Sequence, residues 1–247
     1  MVTPAPRAVI FDLAGTLVDW PTEPVDHRWA VSYDHLTTLY PDRAWPPRAA
    51  YVAAMRAAEE AHWDRVVATG GSGSAADLLH DGFHRLGWRP DDTDLHAALA
   101  GYARAIDRWT VACPDARATL ATLRGRGYRL GLLSNTWWAS AWHDAELAAH
   151  GLADLLDALL YTSDLAHSKP HPSVFRDLAA RLGVDPAACV MVGDRMIDDV
   201  SGALGVGMRA VWKRHDKPLP RPPHIVPTAV VTRLAELPGL LRAWGGA

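Results

Sequence analysis

The sequence predicts a three-layer α/β fold, a parallel sheet between helices, with an all-helical insertion after the first strand. Three observations predict it. Short runs of apolar and β-branched residues recur between turn residues, as strands buried on both faces require. Helical periodicity fills the gaps between the later runs, the alternation that yields parallel sheets. The interval from 20 to 108 carries helical patterns and no buried-strand signal. A chain of 247 residues exceeds one average domain of roughly 150 and falls short of two, which suits one core plus an insertion.

The elements follow in order. Residues 7–13 (RAVIFDL) form the first strand and run into an acid. The insertion comes next, with helices expected over 49–67, 75–86 and 93–109. A Gly70-Gly-Ser-Gly-Ser74 break divides it and places Ser74 to cap the following helix. Residues 114–124 return to the core with Leu120 and Leu123 on one helical face, and 129–134 and 158–162 read as strands. Residues 172–182 set Val174, Leu178 and Leu182 at helical spacing; Pro114 and Pro172 suit first-turn positions. A strand over 189–193, a helix over 196–204 and a strand over 208–212 complete the alternation. The stretch 217–227 is proline-rich and irregular, and a closing helix over 232–244 is interrupted by Pro238.

Composition excludes several function classes. Apolar residues make up 49% of the chain, which excludes a disordered or collagen-like polymer. No stretch approaches about 18 apolar residues, and the opening MVTPAPRAVI lacks the order of a secretory signal, so neither a membrane span nor export is expected. Two cysteines, Cys113 and Cys189, fit a reducing cytoplasm and exclude a disulfide scaffold or a Cys-rich zinc site. A net charge of −3 provides no general nucleic-acid surface. Of 25 basic residues only Lys169, Lys213 and Lys217 are lysines, and the insertion contains none of them.

Parallel sheets bind ligands beyond the carboxyl ends of their strands. Four segments stand at such ends: Phe11-Asp12-Leu13-Ala14-Gly15-Thr16-Leu17, Leu133-Ser134-Asn135-Thr136, Ser168-Lys169-Pro170, and Gly193-Asp194-Arg195-Met196-Ile197-Asp198-Asp199. A carboxylate leaving a buried strand into a Gly-Thr turn serves as a nucleophile or metal ligand. A hydroxyl and a lysine hold an anion. Acids after the fourth strand complete an oxygen-rich site of the kind Mg²⁺ prefers.

In this order the segments resemble the haloacid dehalogenase superfamily over nearly the whole chain, and the placement of the insertion resembles its helical-cap branch. The resemblance implies a Rossmann-like core over 1–19 and 109–247, a cap over 20–108, and Asp12 as a nucleophile that forms an aspartyl-phosphate. It implies Thr16, Ser134, Asn135 and Lys169 on the phosphoryl group. It also implies Mg²⁺ on Asp12, the backbone carbonyl of Ala14 and Asp194, with Asp198 or Asp199 behind them. The expected partner is a small phosphorylated or halogenated molecule; neither nucleic acid nor membrane is expected, and the oligomeric state is not legible.

One position departs from the family pattern. Its phosphatases usually carry a second aspartate two residues after the first, as general acid and base, and this chain has Ala14, native or introduced. Losing such an acid typically costs about 10²–10⁴ in rate. Phosphonoacetaldehyde hydrolases share Asp-x-Ala-Gly-Thr but need a cap lysine for a Schiff base, which this cap lacks. The 2-haloacid dehalogenases need no metal, which leaves the acids after 193 unexplained. The reading is therefore an atypical phosphatase whose leaving group needs little protonation or whose cap supplies an acid. A degenerate binding protein is the third class.

Other residues carry blander expectations. His80 and His84 read as a helix face, and His62 as a buried cap histidine or surrogate acid. Trp137, Trp138 and Trp142 read as packing against the cap or as an apolar pocket. The Gly70–Ser74 break lacks the ending of a phosphate loop and reads as a hinge or cap turn.

Overall fold

A computed structural model describes residues 4–19, 24–106, 110–215 and 218–246. The first apolar run forms β1 (Ala8–Phe11), and the two-residue β2 (Val18–Asp19) follows it. Strand β2 pairs antiparallel with β3 (Val111–Ala112) beyond the insertion, so this ribbon is the insertion's stem. Between them stand α1 (Val25–Leu39), α2 (Arg48–Thr69), α3 (Ala75–Arg85) and α4 (Asp92–Ile106). The core resumes with α5 (Ala116–Gly125), β4 (Arg129–Ser134), α6 (Ser140–Ala149), β5 (Ala158–Tyr161), α7 (Pro172–Leu182) and β6 (Cys189–Gly193). A π-helical turn over Met196–Ser201 leads into α8 (Gly202–Gly205), followed by β7 (Arg209–Lys213), β8 (Ala229–Val231) and α9 (Leu237–Ala243).

The six core strands are parallel in the order β5-β4-β1-β6-β7-β8. The chain winds outward from β1 to β4 and β5, then crosses back to β6 and winds outward the other way. That reversal opens a crevice at the carboxyl end of β1. The central strands are apolar on both faces for a visible reason. Val9 and Phe11 pack with Val190 and Val192 beneath Leu120, Leu123 and Leu241, whereas Ala8 and Ile10 pack with Met191 beneath Val174, Phe175 and Leu178.

The insertion has its own core of Trp29, Tyr51, Met55, Leu78, Leu79, Phe83 and Tyr102, and Trp137 and Trp138 enter it from the loop after β4. Trp29 stacks on Trp137 with ring centroids 6.1 Å apart. The cap touches the core again at the glycine-serine break. Gly71 and His167 form an antiparallel bridge, Ser72 donates its N–H to the Ala166 carbonyl (3.2 Å), and Ser168 donates to the Gly70 carbonyl (2.9 Å). The break is thus a strap across the loop that leads to Lys169. Ser74 caps α3 as predicted, in a reciprocal capping box with Asp77.

Several expectations shift. The closing segment divides one residue before Pro238: a 3-10 turn over Leu234–Glu236 gives way to α9, with Pro238 in the first turn where its missing N–H is harmless. Helix α5 begins at Ala116, after Pro114. Strand β8 and helix α1 have no predicted counterparts, since β8 has only three residues and the buried face of α1 mixes Ser32 with Trp29 and Leu36. The predicted borders at 19/20 and 108/109, the end of the third insertion helix at 109, and Lys217 all touch residues 20–23, 107–109 and 216–217, outside the described residues. Among the described residues no helix is long and apolar enough to cross a membrane.

His62, 1% exposed on the inner face of α2, leads to a stability prediction. Burial, helped by Arg65, pushes its pKa down to about 4. The unfolded chain, with a histidine near 6.5, therefore binds more protons than the folded one between those values. Stability from this residue is full above about pH 6.5 and is lost as pH falls toward 4, by on the order of 1–3 kcal/mol. Urea unfolding at both ends of that window should show His62→Gln losing less stability on acidification than wild type. Equal losses would contradict the assignment.

Candidate active site

All four predicted segments meet in the crevice. The turn after β1 is built by Gly15, whose φ of +82° excludes most side chains; a Cβ there would also lie 2.5 Å from Asp194 Oδ2. Asp12 leaves the strand with its N–H on the Val192 carbonyl (2.9 Å), and Thr16 Oγ1 lies 3.4 Å from Asp12 Oδ2. Thr16 is fully buried, so its hydroxyl faces the Asp12 carboxylate rather than the cavity.

Lys169 is 2% exposed, and its ammonium has three acceptors: Asp12 Oδ1 at 2.6 Å, Asp199 Oδ1 at 2.6 Å and the Leu133 carbonyl at 2.9 Å. Burial alone would lower its pKa, but the charges of Asp12 and Asp199 outweigh that and the net shift is upward, so it stays protonated. Asn135 holds the backbone of Lys169, accepting from its N–H at 2.8 Å and donating to its carbonyl at 3.0 Å. Asn135 and Ser134 both line the cavity.

The segment after β6 is shaped by the π-helical turn, where the sequence predicts an ordinary helix. The wider turn brings Asp199, rather than Asp198, to the other acids. Carboxylate oxygens of Asp12, Asp194 and Asp199 lie within 4.8 Å of one another. Asp199 is fully buried, with Oδ2 on the Arg195 N–H (2.9 Å), and a Cβ at Gly193 would collide with its carboxylate. Asp198 lines the cavity and accepts from Arg195 Nη1 at 3.2 Å. Burial, then the nearby Asp12 charge, raises the Asp194 pKa, and burial also raises Asp199 against the pull of Lys169. Asp194 Oδ2 bonds to His215 Nε2 at 2.7 Å, while its buried Oδ1 has no partner among the described residues.

The cap roofs a cavity of about 440 Å³ over these groups, lined by Arg28, Arg56, Glu59 and Trp63 above and by Trp137 and Trp138 at the side. The two tryptophans therefore both pack the cap and wall the pocket. His80 and His84 are exposed on α3, as a plain helix face would have them, and His62 is not among the lining residues.

Three residues escaped the sequence reading. Lys213, read as part of a polar stretch, ends β7 and is buried, donating to the Gly15 carbonyl at 2.9 Å. His215 lies just beyond it, against Asp194. Both stand at the carboxyl end of a parallel strand, which was the available signal. Glu59 shares the inner face of α2 with Tyr51, Met55, His62 and Val66, a face legible from helical spacing.

A carboxylate trio, a buried lysine and a roofed cavity thus meet at the strand-order reversal. A family model described as haloacid dehalogenase-like hydrolase matches residues 6–207. A glyceraldehyde 3-phosphate phosphatase of Methanopyrus kandleri is 31% identical over 169 residues, 67% of this chain and 70% of that protein. The human N-acylneuraminate-9-phosphatase is 35% identical over 130 residues, 52% of this chain and 51% of that relative. Among solved structures, a 2-haloacid dehalogenase of Pseudomonas syringae pv. Tomato matches with a TM-score of 0.67 at 25% identity, covering 97% of this chain and 99% of that one. A HAD phosphatase of Thermococcus onnurineus matches with a TM-score of 0.62, also at 25% identity, over 95% and 97% of the two chains. With the family match running from before β1 to beyond α8, over the strand ends that hold Asp12, Ser134, Lys169, Asp194 and Asp199, the protein is a phosphatase-like hydrolase and the chain belongs to the haloacid dehalogenase-like hydrolase family.

Proposed function

We propose that the protein is a Mg²⁺-dependent phosphatase of small phosphorylated metabolites, with Asp12 carrying the phosphoryl group between two half-reactions. The observation that carries this reading is the carboxylate trio with its unpartnered Asp194 Oδ1. Three buried acids and one lysine leave a net negative charge that a divalent cation would offset, and hard oxygen donors suit Mg²⁺. Asp12, the Ala14 carbonyl and Asp194 would hold the ion, with Asp199 behind them and Asp198 at the rim. When bound, it would neutralise charge on the phosphoryl oxygens.

The chain's own residues do the rest. Lys169 fixes Asp12 Oδ1 and adds positive charge beside the phosphoryl group, whose transfer depends chiefly on positioning and charge neutralisation. Ser134 would bind a phosphoryl oxygen. Asn135 sets the Lys169 backbone through its paired bonds. The cap excludes water while Asp12 attacks. Ala14 offers no proton, so the leaving oxygen departs unaided, as in acyl or aryl phosphates, or is protonated from the cap. The relatives named for glyceraldehyde 3-phosphate and N-acylneuraminate 9-phosphate support the substrate class.

A panel of alkyl, aryl and acyl phosphates tests the proposal. Phosphate release is expected with Mg²⁺ and should vanish in EDTA, and beryllium fluoride should form a stable complex at Asp12. Absence of turnover by both the protein and Ala14→Asp would overturn the reading. Carbon–halogen hydrolysis is the second reading, favoured by the tryptophan walls of the cavity. It requires halide release from 2-haloacids that persists in EDTA.

A further inference from the structure

The phosphatase reading leaves one proton without a source. An alkoxide leaving phosphorus needs a proton in the transition state, and Ala14 has none. The Thr16 hydroxyl faces Asp12, and the Lys169 ammonium is engaged with Asp12, Asp199 and the Leu133 carbonyl. Asp198 is tied to Arg195, and Asp194 and Asp199 belong to the carboxylate trio.

The roof of the cavity supplies a different group. Glu59, on α2, lines the same cavity as Asp12, Ser134 and Asp194, yet it is only 8% exposed. Its Oε2 accepts a hydrogen bond from Trp29 Nε1 at 2.9 Å, and Trp29 in turn stacks on Trp137, three residues beyond Ser134. The carboxyl is thus held by a cap indole that is itself backed by the core loop after β4. Glu60, its neighbour, lines the cavity but is exposed to solvent.

We propose that Glu59 is the general acid and base of this site, provided by the cap in place of the side chain missing at position 14. The proposal rests on the phosphatase reading above. In the first half-reaction an Asp12 oxygen bonds to phosphorus, the bond from phosphorus to the leaving oxygen breaks, and that oxygen takes the proton of the Glu59 carboxyl. In the second, water gives a proton to the Glu59 carboxylate and its oxygen bonds to phosphorus. The bond from phosphorus to Asp12 then breaks, which releases phosphate and restores both carboxyls.

The electrostatics agree with this geometry. Burial raises the Glu59 pKa, against the indole bond of Trp29, the charge of Arg28 and the indole of Trp137, and Glu60 adds to the rise. The charged and titratable groups facing Glu59 are Arg28 from α1, Tyr102 from α4 and Glu60 on its own helix. With its donor on the cap, the site is complete only when the cap covers the substrate.

Glu59→Gln keeps an acceptor for Trp29 and removes the proton. It should lower kcat/KM for an alkyl phosphate about 10²-fold or more, and abolish the alkaline fall of its pH profile. For p-nitrophenyl phosphate, whose leaving group departs without a proton, kcat/KM should change by less than about threefold. Adding Ala14→Asp to Glu59→Gln should restore the alkyl phosphatase, which a folding defect would not permit. Equal losses on both substrates, or no loss on either, would overturn the role of Glu59. A wild-type protein inactive on both substrates with Mg²⁺ is a separate result that overturns the phosphatase reading itself.

Discussion

Asp12→Asn is expected to lower phosphate release by about 10⁴-fold or more while the protein stays folded. The amide has the shape of the carboxylate and can still accept from Lys169 Nζ, which lies 2.6 Å from Asp12 Oδ1. What it loses is nucleophilicity, together with one of the acids in a trio whose carboxyl oxygens lie within 4.8 Å of each other. Removing one of several like charges relieves repulsion, so the unfolding midpoint in EDTA should hold or rise. Steady-state phosphate release and thermal unfolding on the same preparation test both halves. Activity within tenfold of wild type would place the chemistry at another residue.

Lys169→Met should be the most destabilising single change in the site. The methionine fills similar volume but leaves Asp12 and Asp199 without the ammonium 2.6 Å from each. Removing one partner of a buried ion pair costs about 3–5 kcal/mol, because the remaining charge is left uncompensated. Turnover should fall about 10³-fold with the loss of positive charge beside the phosphoryl group. Urea unfolding in EDTA gives the first figure, and saturating Mg²⁺ should recover part of it by binding the folded state alone. A stability loss below about 1 kcal/mol would mean that Lys169 contributes mainly to chemistry.

The strand ends were legible because their chemistry is local. A buried apolar run followed by Asp12, Ser134 or Asp194 announces a polar group placed where a parallel sheet binds ligands, and the structure brings those groups together. The choice between Asp198 and Asp199 was not legible. It is decided by the π-helical turn over Met196–Ser201, and one extra residue per turn leaves no mark on apolar periodicity. Lys213 and His215 were missed for a different reason. Nothing in the sequence says that β7 lies next to β6, and only that adjacency carries them to Gly15 and Asp194. Glu59 could be placed on the inner face of its helix, but the identity of the facing surface is tertiary information.

Trp137 and Trp138 carry a lesson for recombining modules within this family. They belong by sequence to the core and by packing to the cap. A chimera that exchanged only residues 24–106 for the cap of a relative would leave two large indoles facing a surface not shaped for them. The unit of exchange is therefore discontinuous: the helical insertion together with the loop after β4, which follows directly on Ser134. New specificity grafted through the cap would have to be accommodated by the loop that directly follows Ser134, the residue proposed to bind the phosphoryl group.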